Sequence, residues 1–131
     1  DMDREFSYTG REELDQAQFL PRYNRHIAGL FLKVIRPGQN LLDFGAGIGT
    51  ISALVRERAQ AASMTCVEID RDNIAALKQK GFAVIGDAED CPQDSIDVIY
   101  SSNVLEHIED DAALLAKLFS RLKPGGRAVF W

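Results

Sequence analysis

The stretch Leu41-Leu42-Asp43-Phe44-Gly45-Ala46-Gly47-Ile48-Gly49-Thr50 constrains the fold more than any other segment. An apolar run ends in an acid, and three glycines follow at alternate positions. Ile51, Ala53, Leu54 and Val55 then recur at helical spacing. That order predicts a buried strand, a tight glycine turn and a helix. Glycine permits positive φ and lets a ligand come close to the backbone with no Cβ in between. A nucleotide-like ligand at the mouth of the first strand is therefore expected. The dinucleotide fingerprint G-x-G-x-x-G would put its third glycine one residue later, where Thr50 stands.

The rest of the chain repeats the alternation. Asn40–Phe44 reads as a strand, Ile48–Ala59 as a helix, Met64–Ile69 as a strand, and Arg71–Lys80 as a helix closed by Gly81. Ala83–Ile85 and Ile96–Ser101 read as strands, and Asp110–Leu122 as a helix stopped by Lys123-Pro124-Gly125-Gly126. Ala128–Trp131 opens one more strand. Before all of these, residues 11–36 carry a patchy helical pattern, expected as two short helices or one kinked at Pro21. Strand–helix alternation implies βαβ units, a parallel sheet with helices on both faces, and ligands at the carboxyl ends of the strands. The expected organisation is one domain: an N-terminal helical segment over 1–36 on the substrate side and a ligand-binding core over 37–131.

Composition excludes several classes. With 131 residues and 46% hydrophobic content the chain is one globular domain's worth. No apolar run approaches the ~20 residues that cross a bilayer. A net charge of −5 gives no strong nucleic-acid signal. Asp1-Met2-Asp3-Arg4-Glu5 forms no apolar signal segment, and two cysteines, Cys66 and Cys91, make no disulfide framework. A reducing cytoplasm is the expected setting.

Further candidate residues fall at the predicted strand ends. Glu68 lies 19 and Asp70 21 residues after Gly49, the distance at which an acid accepts hydrogen bonds from a ribose. Asp70 also suits the start of the next helix, so Glu68 is assigned the ribose and Asp70 the helix cap. Gly86-Asp87-Ala88-Glu89-Asp90 follows the third strand, where an acid can accept from an adenine amino group or simply serve the turn. Ser101-Ser102-Asn103-Val104-Leu105-Glu106-His107 follows the fourth.

In this order LLDFGAGIGT, VEID, GDAED, SIDVIYSSNVLEHIEDD and LKPGGRAVF resemble class I S-adenosylmethionine-dependent methyltransferases of the type 11/12 kind, over about residues 40–131. The resemblance implies a Rossmann-like doubly wound sheet of order 3-2-1-4-5-7-6, with S-adenosyl-L-methionine as cofactor. It implies that Asp43, Gly45, Ala46 and Gly47 line the methionine part, that Glu68 and Ile69 meet the ribose end, that Asp87 and Ala88 meet the adenine, and that Ser102 or Asn103 covers the cofactor. It also implies direct displacement of the methyl group, which needs positioning above all and a base only for a protonated nucleophile. Tyr8-Thr9-Gly10, Glu13-Leu14 and Tyr23-Asn24-Arg25-His26-Ile27 are similar to segments of bacterial methyltransferases associated with glycosyltransferases. A small-molecule or saccharide acceptor is expected on that basis. Arg25 stands where related enzymes meet the cofactor carboxylate; a solvated helix arginine is the other reading.

His107 is the candidate catalytic base, being the one residue near the site with an ordinary pKa close to neutrality. A structural place at the start of the following helix is favoured over that role, because the motif recurs in members with very different substrates. The segment is similar to the E-x-x-E-H motif of metal-dependent RNA methyltransferases, but Asn103 replaces its first acid, and no metal is expected. Three other outcomes stay in view: an inactive cofactor-binding scaffold, the metal-dependent RNA enzyme, and an NAD-binding oxidoreductase, which the glycine spacing disfavours. The expected sheet breaks off inside its fifth strand at Phe130-Trp131, so the chain is read as a fragment, or as the ordered part of a longer protein.

Overall fold

A computed structural model of the chain describes residues 16–102 and 111–131. Its elements run α1 (Gln16–Leu32), β1 (Asn40–Phe44), α2 (Thr50–Ala59), β2 (Ser63–Val67), α3 (Arg71–Gln79), β3 (Ala83–Ile85), a 3₁₀ turn at Ala88–Asp90, β4 (Ile96–Ser101), α4 (Ala112–Phe119) and β5 (Leu122–Phe130). All strand pairs are parallel, in the order β3-β2-β1-β4-β5. The chain walks outward from β1 to β3, returns to lay β4 on the other side of β1, and continues outward to β5. This is the doubly wound α/β architecture expected, through the first five places of the expected strand order. The direction of winding reverses between β1 and β4, which is where open sheets of this kind bind ligands.

The two-residue period of the strands divides the core. Leu41, Val98 and Tyr100 face Ile27, Ala28 and Phe31 of α1 and Val55 and Ala59 of α2. Leu42, Val67 and Ile99 face the opposite side, with Leu118 of α4, Ala88 and Cys91. Cys66 packs with Leu77 of α3 and Phe82. Helices thus cover both faces, as near-continuous apolar strands require. The Phe31 and Tyr100 rings stack with centroids 4.8 Å apart, so α1 belongs to the same core as the sheet.

Several boundaries differ from expectation. α1 is a single helix that runs through Pro21 and ends at Leu32 rather than near residue 36. Its end tightens, with the Val34 and Ile35 amides donating to carbonyls three residues back. α2 begins at Thr50 because Gly49, at φ 87°, is the cap. β2 ends at Val67, since the Ile69 and Asp70 amides turn to the Glu68 side chain. α4 stops at Phe119, where the Ser120 and Arg121 carbonyls accept from the amides of Asp94, Ser95 and Ile96. β5 begins at Leu122 instead of Ala128: it pairs with Ile96, slips register, and resumes at Arg127 beside Val98. The slip suits Gly126, where a Cβ would lie 2.9 Å from the Lys123 carbonyl oxygen.

Candidate functional site

The glycine turn leaves β1 with Gly45, Gly47 and Gly49 at φ 73°, 61° and 87°. These values cost any residue with a Cβ about 1–2 kcal/mol. The glycines differ in purpose. A Cβ on Gly49 would sit 2.7 Å from Leu77 Cδ2 and 3.2 Å from Phe82 Cε2, so this glycine lets α2 close onto the α3–β3 corner. A Cβ on Gly47 would meet nothing within 4 Å. Its bare backbone forms part of the wall of a cavity of about 460 Å3. That volume lies within the range of small-ligand sites, roughly 300–1,000 Å3.

Glu68 ties the turn to β2. Its Oε1 accepts from the Gly47 amide at 2.7 Å, and its Oε2 accepts from the amides of Ile69 and Asp70 at 3.1 and 3.0 Å. A carboxylate has about four acceptor directions, so this one keeps a direction on Oε1. The Gly45 and Ala46 amides both donate to the Val67 carbonyl, which closes the turn against β2. Asp70 caps α3 by accepting from the Asn73 amide at 2.9 Å. Gly45, Gly47, Glu68, Ile69, Asp87 and Ala88 all line the same cavity, together with Phe44, Val67, Gly86, Leu114 and Lys117. Ile69 is 83% exposed, an apolar side chain held out over the rim.

The Asp87 carboxylate accepts from the Glu89 amide at 2.9 Å and from Lys117 Nζ at 3.2 and 3.3 Å. The amide bond, then the ammonium, holds its carboxyl below the usual carboxylate range. Asp43 has the opposite environment. It is 4% exposed and does not line the cavity; its carboxylate points toward α2, where Ser52 Oγ donates to Oδ2 at 2.5 Å. Ser52 Oγ is also 2.5 Å from the Tyr100 hydroxyl. Ser52 has one proton, given to Asp43, so the Tyr100 O–H is the donor in the second bond. Burial pushes the Asp43 carboxyl up to about 7, against the pull of the Ser52 bond and with a smaller push from the Glu68 charge. Burial raises the Tyr100 phenol as well.

Other expected residues stand apart from the cavity. Ala46 packs against the Cys66–Leu77–Phe82 cluster. Ser102 follows the end of β4 and does not line it. Arg25 lines a different cavity, between α1 and α2, with Asn24, Thr50, Leu54 and Lys80. Asn103, Glu106 and His107 lie outside the described residues, as do Tyr8–Gly10, Glu13 and Leu14. Ser52, Tyr100, Leu114 and Lys117 were not expected from the sequence. Leu114 and Lys117, three apart on α4, could have been found from helical spacing; the Asp43–Ser52–Tyr100 chain joins three elements and had no local signal.

The cavity has the features an adenosine-bearing cofactor needs: a Cβ-free floor at Gly47, acceptors at Glu68 and Asp87, and an apolar wall from Phe44, Val67, Ala88 and Leu114. Comparisons with known proteins identify the family. Ribosomal protein L11 methyltransferase of Burkholderia thailandensis is 29% identical over 100 residues, covering 72% of this chain and 32% of that protein. Phosphoethanolamine N-methyltransferase 1 of Arabidopsis thaliana is 31% identical over 104 residues, covering 72% of this chain and 21% of that protein. The chain therefore spans about a fifth to a third of the length of these curated relatives. The crystal structure of an S-adenosylmethionine-dependent methyltransferase from Mesorhizobium loti superposes with a TM-score of 0.67 at 27% identity, over 80% of this chain and 50% of that one. A family model described as a methyltransferase domain matches residues 16–130, and the chain belongs to that family.

Proposed function

We propose that the chain is the cofactor-binding core of an S-adenosyl-L-methionine-dependent methyltransferase that acts on a small-molecule or glycan-type acceptor. The observation that carries this is the Glu68 bond to the Gly47 amide, which fixes a Cβ-free turn against an acid at the rim of the 460 Å3 cavity. The cofactor would supply a methyl group on a sulfonium, which is its own leaving group. The protein's part is to bind and orient. Gly45 and Gly47 admit the methionine end close to the backbone. The remaining acceptor direction of Glu68 takes a ribose hydroxyl. Ile69 covers the adenosine, and Asp87 and the Ala88 backbone meet its base. Asp43 acts from behind the turn, as a buried carboxyl near its ionisation point rather than as a wall residue. Arg25, in a separate cavity, is left outside this assignment. Positioning of this kind can supply roughly 7–11 kcal/mol of a barrier.

The acceptor class rests on the weak nucleic-acid signal in the sequence and on the N-terminal likeness, with α1 on the acceptor side. The relatives' names cover a ribosomal protein and a small amine, so both belong in the test. Cys66 and Cys91 are free and buried, which supports a reducing cytoplasm as the setting. The test is transfer of labelled methyl from S-adenosylmethionine to a panel of amines, hydroxy compounds, nucleotide sugars and ribosomal proteins. Transfer to a small acceptor is expected. Binding without transfer to any member would replace the enzyme with a cofactor-binding scaffold.

A further inference from the structure

The last turn of α4 and the residues just past its end present two cations to one short segment. Lys117 Nζ reaches both oxygens of Asp87, and Arg121, four residues later, reaches the backbone that follows it. Arg121 Nη1 donates to the Cys91 carbonyl at 2.7 Å and to the Glu89 carbonyl at 3.4 Å, and Nη2 donates to Ser120 Oγ at 2.9 Å. Arg121 is only 7% exposed, and its bonds run to carbonyls and a hydroxyl rather than to a carboxylate. Its Nε has no partner among the described residues. The Asp87 carboxylate feels the Arg121 charge, but burying the guanidinium still costs free energy that an apolar side chain would not. The Lys117–Asp87 pair is its exposed counterpart, with side chains 30% and 49% accessible, and such pairs add little to stability. Stability accounts for little of Lys117, while Arg121 also satisfies buried carbonyls. What they share is the segment Asp87–Cys91, which carries two residues of the cavity wall.

We propose that Lys117 and Arg121 form a two-point clamp that positions Asp87 and Ala88 for the 6-amino group and ring edge of the adenine. The proposal rests on the cofactor assignment above and names positioning residues within it. Acceptor counting decides how Lys117 acts. Oδ1 takes the Glu89 amide and one contact from Lys117, and Oδ2 takes the other contact. Of about four acceptor directions, one is left, on Oδ2. Lys117 thus leaves room for the amino group and fixes which oxygen receives it. Arg121 holds the carbonyls on the far side of the turn, so the carboxylate cannot swing by moving its backbone.

The test is calorimetric titration of the whole chain with S-adenosylhomocysteine and with its analogue carrying hydrogen in place of the purine 6-amino group. Lys117→Met is expected to weaken S-adenosylhomocysteine roughly three- to tenfold while leaving the 6-deamino analogue nearly unchanged. Lys117→Arg is expected to keep most of the affinity. In an Asp87→Ala background, Lys117→Met should add no further loss, because its effect passes through that carboxylate. Arg121→Met strips the buried carbonyls of their donor and endangers folding, so the test is decided on the exposed Lys117. Unchanged or tighter S-adenosylhomocysteine binding by Lys117→Met, or equal loss of both ligands, would overturn the clamp. Asp87→Ala binding like the wild type would remove both the clamp and the adenine role of Asp87. A wild type that binds neither ligand would remove the cofactor assignment itself.

Discussion

Asp43 near the end of β1 and Glu68 just past the end of β2 stand at the same end of the sheet, and their surroundings give them different work. Glu68 satisfies three backbone amides and stays at the rim. Asp43 has the Ser52 hydroxyl as its partner, and burial raises it from 3.8 to about 7. Between those two values the folded chain holds a proton that the unfolded chain has released. The Asp43 contribution to stability is therefore full below about pH 4, declines as pH rises, and levels off above about 7. The slope is at most about 1.4 kcal/mol per pH unit. Urea unfolding of wild type and Asp43→Asn at several pH values isolates it: the wild-type stability should fall relative to the variant from pH 5 to pH 7.5. A constant difference would show that Asp43 does not titrate there. The two glycines give a second contrast. Gly49→Ala adds a clash with Leu77 to an unfavourable φ and should destabilise by roughly 2–4 kcal/mol in thermal melts. Gly47→Ala meets no atoms, so it should cost only about 1–2 kcal/mol of stability yet weaken S-adenosylhomocysteine roughly tenfold or more.

At the scale of elements, α1 is held by its inner face. Ile27, Ala28 and Phe31 are all buried against β1, β4 and α2. Phe31→Ala should destabilise the chain by roughly 3–5 kcal/mol, with amide exchange accelerating first in α1. A loss below 1 kcal/mol would mean that α1 is only loosely docked. The elements show what periodicity conveys and what it misses. Asn40–Phe44 and Ile96–Ser101 stand where their apolar runs predict, because the sheet buries them on both faces; the edge strand Ala83–Ile85 also stands where predicted, with Ala83 exposed and Val84 and Ile85 half-buried. Pro21 leaves two short helices or one kinked helix open, and the chain forms one helix that continues past it. The early start of β5 could not be read, since Lys123-Pro124-Gly125-Gly126 resembles a helix stop and is a register slip created by pairing with β4. The turn residues of the site were legible from Gly45, Gly47 and Glu68, which lie close in sequence to the strands that place them. Ser52 and Tyr100 were not, because their partners lie 9 and 48 residues away.

For the molecule as a whole, the winding sets where the cavity lies. Two parallel halves run outward from β1 and β4, and the cavity opens beside β1 on the side that leads to β2 and β3. The glycine turn, Glu68 and the Asp87 segment come to it from three successive strand ends. Local patterns predicted the alternation and the parallel sheet, and the family resemblance implied the order of those strands; side-chain geometry alone shows that Asp43 lies behind the turn and Arg25 beside another cavity. The central claim is that this end of the sheet seats S-adenosylmethionine rather than a dinucleotide. Calorimetric titration of the chain with S-adenosylhomocysteine and with NAD tests it most directly. One site for S-adenosylhomocysteine with micromolar or tighter affinity, and no measurable heat with NAD, is the predicted result; tighter binding of NAD than of S-adenosylhomocysteine would contradict it.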